Sequence, residues 1–254
     1  MATAAAILWG LAGGWAPARA QALPPVSVQR FRPSVDAGRL WTVDPAGDRD
    51  DPASTGVVVV HWAANPLVYR DAAGEERGLV TDVLQLDVAG GWQIGRVRAG
   101  AVVPAVLFAQ GADRRGAGLG DVGLDGRVRI VEALAVAGRL TAPTSTLAGE
   151  LTAIGEHALG PLEVAANLGA GFGPTRAIEG GTVGDALVAR AGAAWSPVPS
   201  RDAGVALEVG GRLGVGGAWG EWLASGWAGL GADVALRAGL GTGLTRGIGA
   251  PALR

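Results

Sequence analysis

The feature that most constrains this chain is a two-residue alternation, repeated in segments of about 10 residues, the length of a membrane-crossing strand. Between Gly120 and Ile130, Val122, Leu124, Val128 and Ile130 share one parity; Asp121, Gly123, Asp125, Arg127 and Arg129 share the other. From Leu162 to Phe172, Leu162, Val164, Ala166, Leu168, Ala170 and Phe172 oppose Glu163, Asn167, Gly169 and Gly171. From Val205 to Val215, Val205, Leu207, Val209, Leu213 and Val215 oppose Glu208, Gly210, Arg212 and Gly214. From Val234 to Leu244, Val234, Leu236, Leu240 and Leu244 oppose Arg237, Gly239, Gly241 and Gly243. Successive side chains of a strand point to opposite faces, so each segment has one apolar and one polar or small face. A helical reading fails, because glycine falls inside nearly every segment at roughly 1 kcal/mol each relative to alanine.

Weaker segments fill the gaps: Gly56–Asn65, Leu79–Val88, Trp92–Ala105, Ala133–Ala142, Leu147–Glu156, Thr182–Trp195 and Glu221–Leu230, with Ser34–Val43 as a first strand. The total is about twelve strands. Composition says where the apolar faces go. Hydrophobic residues make up 49% of the chain and charged ones only 17%, against about 25% charged in soluble domains. No stretch reaches the roughly 18 apolar residues of a transmembrane helix. These facts predict an all-β, antiparallel, up-and-down transmembrane barrel of about twelve strands over residues 34–254, surrounded by outer-membrane lipid. A soluble secreted β-sandwich is the alternative fold, and its outward faces should be polar.

The turns fit a barrel. Gly90-Gly91, Gly160-Pro161 and Gly231-Ala232 read as short connections, and 70–78, 110–118 and 175–181 as longer polar ones. Of the nine tryptophans, Trp62, Trp92, Trp195, Trp219 and Trp222 fall near strand ends, where an interfacial aromatic girdle would sit. Residues 1–22 read as a secretory signal: an apolar run from Ala4 to Gly14 precedes the small-x-small pairs Ala18-Arg19-Ala20 and Ala20-Gln21-Ala22. No Lys or Arg precedes that run, and a buried helix or strand is the alternative. Residues 23–33 read as an extended leader. The absence of cysteine excludes disulfides and suits passage through an oxidising periplasm.

Several stretches together resemble the N-terminal barrel region of the OmpA family of outer-membrane proteins. They are Gln29-Arg30-Phe31-Arg32-Pro33, Trp62 to Val68, Val103 to Gly111, Gly118 to Val122, Ala165 to Gly169 and Gly241 to Pro251. The resemblance implies one more strand after the Gly-x-Gly-x-Pro segment. It also implies a linker and a peptidoglycan-binding domain beyond it. This chain stops at Arg254, so it would lack both the last strand and the anchoring domain.

Signals for chemistry are weak. Gly118-Leu119-Gly120-Asp121-Val122-Gly123 matches G-x-G-x-x-G, but a dinucleotide site needs a strand before the glycines and a helix after them. His61 and His157 have no ligand at metal-site spacing. We expect no enzyme activity, no cofactor and no metal. A net charge of −2 gives no reason to expect nucleic acid. The informative set is the polar parity: Arg96, Arg98, Asp121, Asp125, Arg127, Arg129, Glu163, Arg190, Glu208, Arg212 and Arg237. At membrane depth such groups must pair or meet water. They predict either a polar pore with an arginine excess, suited to small solutes, or a salt-bridged interior in a non-conducting barrel that anchors the envelope through a further domain.

Overall fold

The computed structural model describes residues 31–36, 38–46, 54–70, 76–111, 115–142, 147–178, 181–198, 202–214, 217–231, 234–245 and 252–253. The proposed signal, and the leader up to residue 30, lie outside them. Fourteen strands follow in order: β1 Ser54–Arg70, β2 Glu76–Ile94, β3 Val97–Gln110, β4 Arg115–Leu119, β5 Val122–Val131, β6 Leu134–Ala142, β7 Ala148–Leu159, β8 Leu162–Phe172, β9 Arg176–Ile178, β10 Gly181–Val183, β11 Ala186–Trp195, β12 Ala203–Gly214, β13 Gly217–Gly229 and β14 Ala235–Gly243. All but β9 and β10, which pair only with each other, form one 12-stranded sheet. Along the path β1-β2-β3-β5-β6-β7-β8-β11-β12-β13-β14 each strand pairs antiparallel with the next, and β4 pairs with β3, so the sheet is the up-and-down meander that the alternation predicts.

The strand count agrees with the sequence for a reason the sequence does not reveal. Ser34–Val43 is not a strand. The twelfth place is taken by β4, which pairs with Ala105–Gln110 of β3 while β5 pairs with Val97–Val102 of the same strand. β4 and β5 are therefore two halves of one strand, broken at Gly120-Asp121, with Gly120 N–H still donating to Pro104 O at 2.8 Å. The G-x-G-x-x-G motif sits on this break with a strand on either side. The helix that a dinucleotide site needs is not there.

Pleating sorts the residues into two faces. In β5, Leu124, Val128 and Ile130 are exposed while Gly123 and Arg127 are buried. In β8, Ala166, Leu168 and Phe172 are exposed while Glu163, Ala165, Asn167 and Gly171 are buried. The exposed set continues through Val58, Val60, Leu151, Leu187, Leu213 and Leu236, each more than half exposed. An apolar face running right around a sheet is far larger than the patches soluble monomers present. It removes the sandwich reading, in which a second sheet would cover the apolar side.

Connections on the rim below β1 are short: Gly95-Arg96, Glu132-Ala133 and Gly160-Pro161. Gly95 and Gly160 adopt positive φ there, at 58° and 62°, which a side chain would resist. The opposite rim carries the longer 71–75, 143–147 and 173–185, although 215–216 is short there and 196–202 is long below. Gly90-Gly91, expected to be a turn, lies inside β2 opposite Gly56 and Thr55. Gly231-Ala232 falls in the connection between β13 and β14.

β1 and β14 end the strand order. Between them lies a short piece of the C-terminal chain. Ala64 N–H donates to Leu253 O at 2.8 Å, Ala252 N–H donates to Ala64 O at 2.9 Å, and Thr242 Oγ1 of β14 donates to Ala252 O at 2.6 Å. Ala252–Leu253 thus touches both edges and marks where the two ends of the sheet approach.

Candidate functional site

The concave face is not an open bore. Residues 31–36 and 38–46, without regular secondary structure, run along it and are buried or half-buried: Phe31, Val35, Leu40, Val43 and Ala46 are each at most 5% exposed. Their partners lie on strands from one edge of the sheet to the other, so the sheet must curl around them. Phe31 stacks on His61 of β1 with ring centroids 4.6 Å apart. Arg237 of β14 donates to Gly38 O.

The apolar side chains dock where the wall is small. Leu40 and Val43 pack against Ala165, Ala194, Ala206 and Trp227. Val35 meets Ala89 and Val102, and Ala46 meets Ala135 and Ile154. Two wall glycines have a reason here. A Cβ on Gly192 would lie 2.9 Å from Leu40 Cδ2, and one on Gly100 would lie 3.0 Å from Val35 Cβ. These glycines are seats for the segment.

The polar contacts are denser still. The Glu208 carboxylate accepts Trp41 N–H at 2.7 Å, Thr42 N–H at 2.7 Å, Thr42 Oγ1 at 2.8 Å and Val43 N–H at 3.1 Å. Asn167 accepts Asp44 N–H at 3.0 Å and donates Nδ2–H to Asp44 O at 3.1 Å. Arg39 meets Glu163 at 2.5 Å. Asp36 lies between two arginines: its Oδ1 faces Arg98 Nε, and its Oδ2 is 2.7 Å from Arg127 Nη1. Arg32 donates to Thr141. Apart from Asp36 Oδ1 and Arg98 Nε, which face each other as an ion pair without hydrogen-bond geometry, these contacts satisfy groups that would be costly to bury alone.

The eleven charges marked by sequence parity divide accordingly. Arg98, Arg127, Glu163, Glu208 and Arg237 hold the segment. Asp125 pairs with Arg139, and Arg190 with Glu150 at 2.6 and 3.1 Å, within the wall. Arg212 lies against Gly171, where any Cβ would collide with its guanidinium, and lines a cavity with Arg32 and Arg190. Asp121 is half-buried at the β4–β5 break, and Arg129 is half-buried near the lower end of β5. Arg96 does not join them. It occupies the two-residue turn after β2, where the pleat no longer dictates direction, and is exposed, with Nη1 3.5 Å from Ile130 O.

Sequence parity missed other members of the set. His61 Nε2 lies 2.7 Å from Asp87 Oδ2, and Gln85 Nε2–H donates to Asp87 Oδ1 at 2.6 Å. Asp87, Arg139 and Glu150 sit on weakly alternating strands, but their inward parity was readable. The role of 31–46 was not, because a segment that docks at irregular intervals has no period. His157 is exposed on β7. Among the described residues, no group of His, Cys, Asp and Glu could hold a metal ion.

The cavity at Arg212 and another beside Asp36, Arg98 and Arg127 each hold about 20 Å³, room for roughly one water. The girdle expectation is met in part. Trp92 and Trp195 are exposed near the lower strand ends, whereas Trp62 is exposed along β1 and Trp219 and Trp222 are half-buried.

No family model and no curated protein matches this chain in sequence. A solved structure does match in shape: the COG4313 outer membrane channel from Pseudomonas putida F1, with a TM-score of 0.62 at 17% identity. The match covers 84% of this chain and 96% of that one. The fold is that of an outer-membrane channel barrel. At this identity the likeness concerns the fold alone. It places no OmpA-family mark on the chain; the resemblance in the sequence motifs finds its counterpart only in the barrel.

Proposed function

We propose that this protein is an outer-membrane channel for small solutes, with an arginine-containing lumen occupied in this state by residues 31–46. The observation that carries the reading is the division of labour between the two faces. The outer face is apolar and exposed on strand after strand, as lipid demands. The inner face spends its charges on a length of chain outside the sheet and not only on strand-to-strand pairs. A wall built only for strength has no need to seat a separate segment. Glu208 offers its carboxylate to that segment's backbone, Arg98 and Arg127 to its Asp36.

Planar-bilayer recording of the refolded full chain tests this. The wild type should conduct weakly or intermittently. Loosening the segment with Glu208→Ala together with Leu40→Ala should raise open-state conductance several-fold. If neither protein conducts once folding has been verified, the channel reading is wrong.

One observation favours a second reading. The described part of the inner segment is buried or half-buried against the concave face, which suits a non-conducting structural barrel. Under that reading the filled lumen is the functional state, and attachment to peptidoglycan through a further domain would be the partner interaction that the sequence resemblance implies. Absence of conductance in both proteins selects it.

A further inference from the structure

Asp36 is held like a ligand. Its two carboxylate oxygens address two different guanidinium groups, Arg98 on β3 and Arg127 on β5. Those strands pair with Arg98 directly opposite Arg127, so the arginines form a clamp that the wall itself builds. The side chains of Arg98, Arg127 and Asp36 are 3%, 8% and 5% exposed. The wall contributes to the orientation of Arg98 through Thr55 Oγ1 and, at 3.4 Å, Gln93 Oε1, while the segment adds the Val35 carbonyl to Arg98 at 3.4 Å and the Pro45 carbonyl to Arg127. Placing two like charges side by side in a lumen is unfavourable unless an anion lies between them. Here the anion is supplied by the chain's own N-terminal segment.

We propose that the Arg98–Arg127 pair is a binding site for the carboxylate of a small organic acid, and that Asp36 occupies it as an internal competitor. The proposal rests on the channel reading for the route by which such an acid reaches the clamp. Planar, forked guanidinium groups suit a two-oxygen carboxylate. A multiply charged phosphate suits the site less well, because Asp125 of the wall lines the same cavity and would repel the second charge. When the segment leaves, the clamp is the part of the wall left with an unmatched positive charge. A passing carboxylate would take the place of Asp36 and hold the segment out.

Chemical rescue tests the site without requiring conduction. The full chain carrying Asp36→Ala is refolded in detergent and melted in sodium acetate, sodium chloride and sodium phosphate at equal ionic strength. Loss of the internal carboxylate should lower the melting temperature by about 6–20 °C, as for a broken buried ion pair in a domain of this size. Acetate should restore at least half of that loss and chloride little. Adding Arg98→Gln and Arg127→Gln should abolish the acetate response. If Asp36→Ala does not refold, its refolding yield becomes the readout, and acetate in the refolding buffer must raise it where chloride does not. Equal effects of acetate and chloride would overturn the proposal; a stronger effect of phosphate would overturn the carboxylate assignment. A protein rescued by acetate that never conducts keeps the site and loses the channel. One that conducts without acetate rescue keeps the channel and loses the site.

Discussion

Thr42 and Glu208, 166 residues apart in the chain, are joined twice at one oxygen: the Thr42 N–H and Oγ1 both donate to Glu208 Oε2, at 2.7 and 2.8 Å. With Trp41 and Val43 adding their own N–H groups, one wall carboxylate fixes three consecutive peptides of the inner segment. Glu208→Ala should therefore cost about 3 kcal/mol, the scale for leaving several buried donors of a charged network unsatisfied. It should also free residues 34–46 to proteolysis. Equilibrium unfolding and limited proteolysis of the folded barrel check both; an unchanged cleavage pattern would show that the segment is held elsewhere.

Gly192 should tolerate no side chain while Leu40 is in its seat. A Cβ there would lie 2.9 Å from Leu40 Cδ2 and 3.1 Å from Leu40 Cδ1. Gly192→Val is expected to destabilise by about 1–3 kcal/mol through overpacking. Leu40→Ala should recover part of that loss. A double-mutant cycle measures the coupling, and additivity would place Leu40 away from Gly192.

Asn167 holds Asp44 by a two-way bond. Asn167→Ala should cost about 1–2 kcal/mol, since it removes both hydrogen bonds from a half-buried peptide. A destabilisation no larger than for a surface residue would mean that the bond does not form in the membrane.

Leu168 tests the other face. It is 66% exposed in the middle of β8. If lipid surrounds it, Leu168→Arg should cost about 2–4 kcal/mol in lipid vesicles. An effect near zero would return the outer face to water.

What the sequence made legible is the period of two. The four strongest alternating segments became β5, β8, β12 and β14, with their apolar parity outside. The parity set also marked side chains that the structure buries: Arg98, Arg127, Glu163 and Glu208 are each under 9% exposed. Arg96 escaped the rule by two residues, because the chain turns there. Ser34–Val43 was misread for a deeper reason. Val35 and Val43 share a strand-like parity, but Leu40 breaks it, and these residues answer to separate seats on the wall instead of to a neighbouring strand. Contacts between Asp36 and Arg127, or Thr42 and Glu208, depend on curvature that no local pattern encodes.

Ordering in time follows from where the inner segment finds its partners. Residues 31–46 come early in the chain, yet their anchors sit on β3, β5, β8, β12 and β14. Each such contact closes a long loop, and assembly dominated by distant pairings is slow. Until β12 presents Glu208 and β14 presents Arg237, the segment has only part of its seat. The wall is thus the mould and the segment the casting: it precedes the wall in the chain and sets after it.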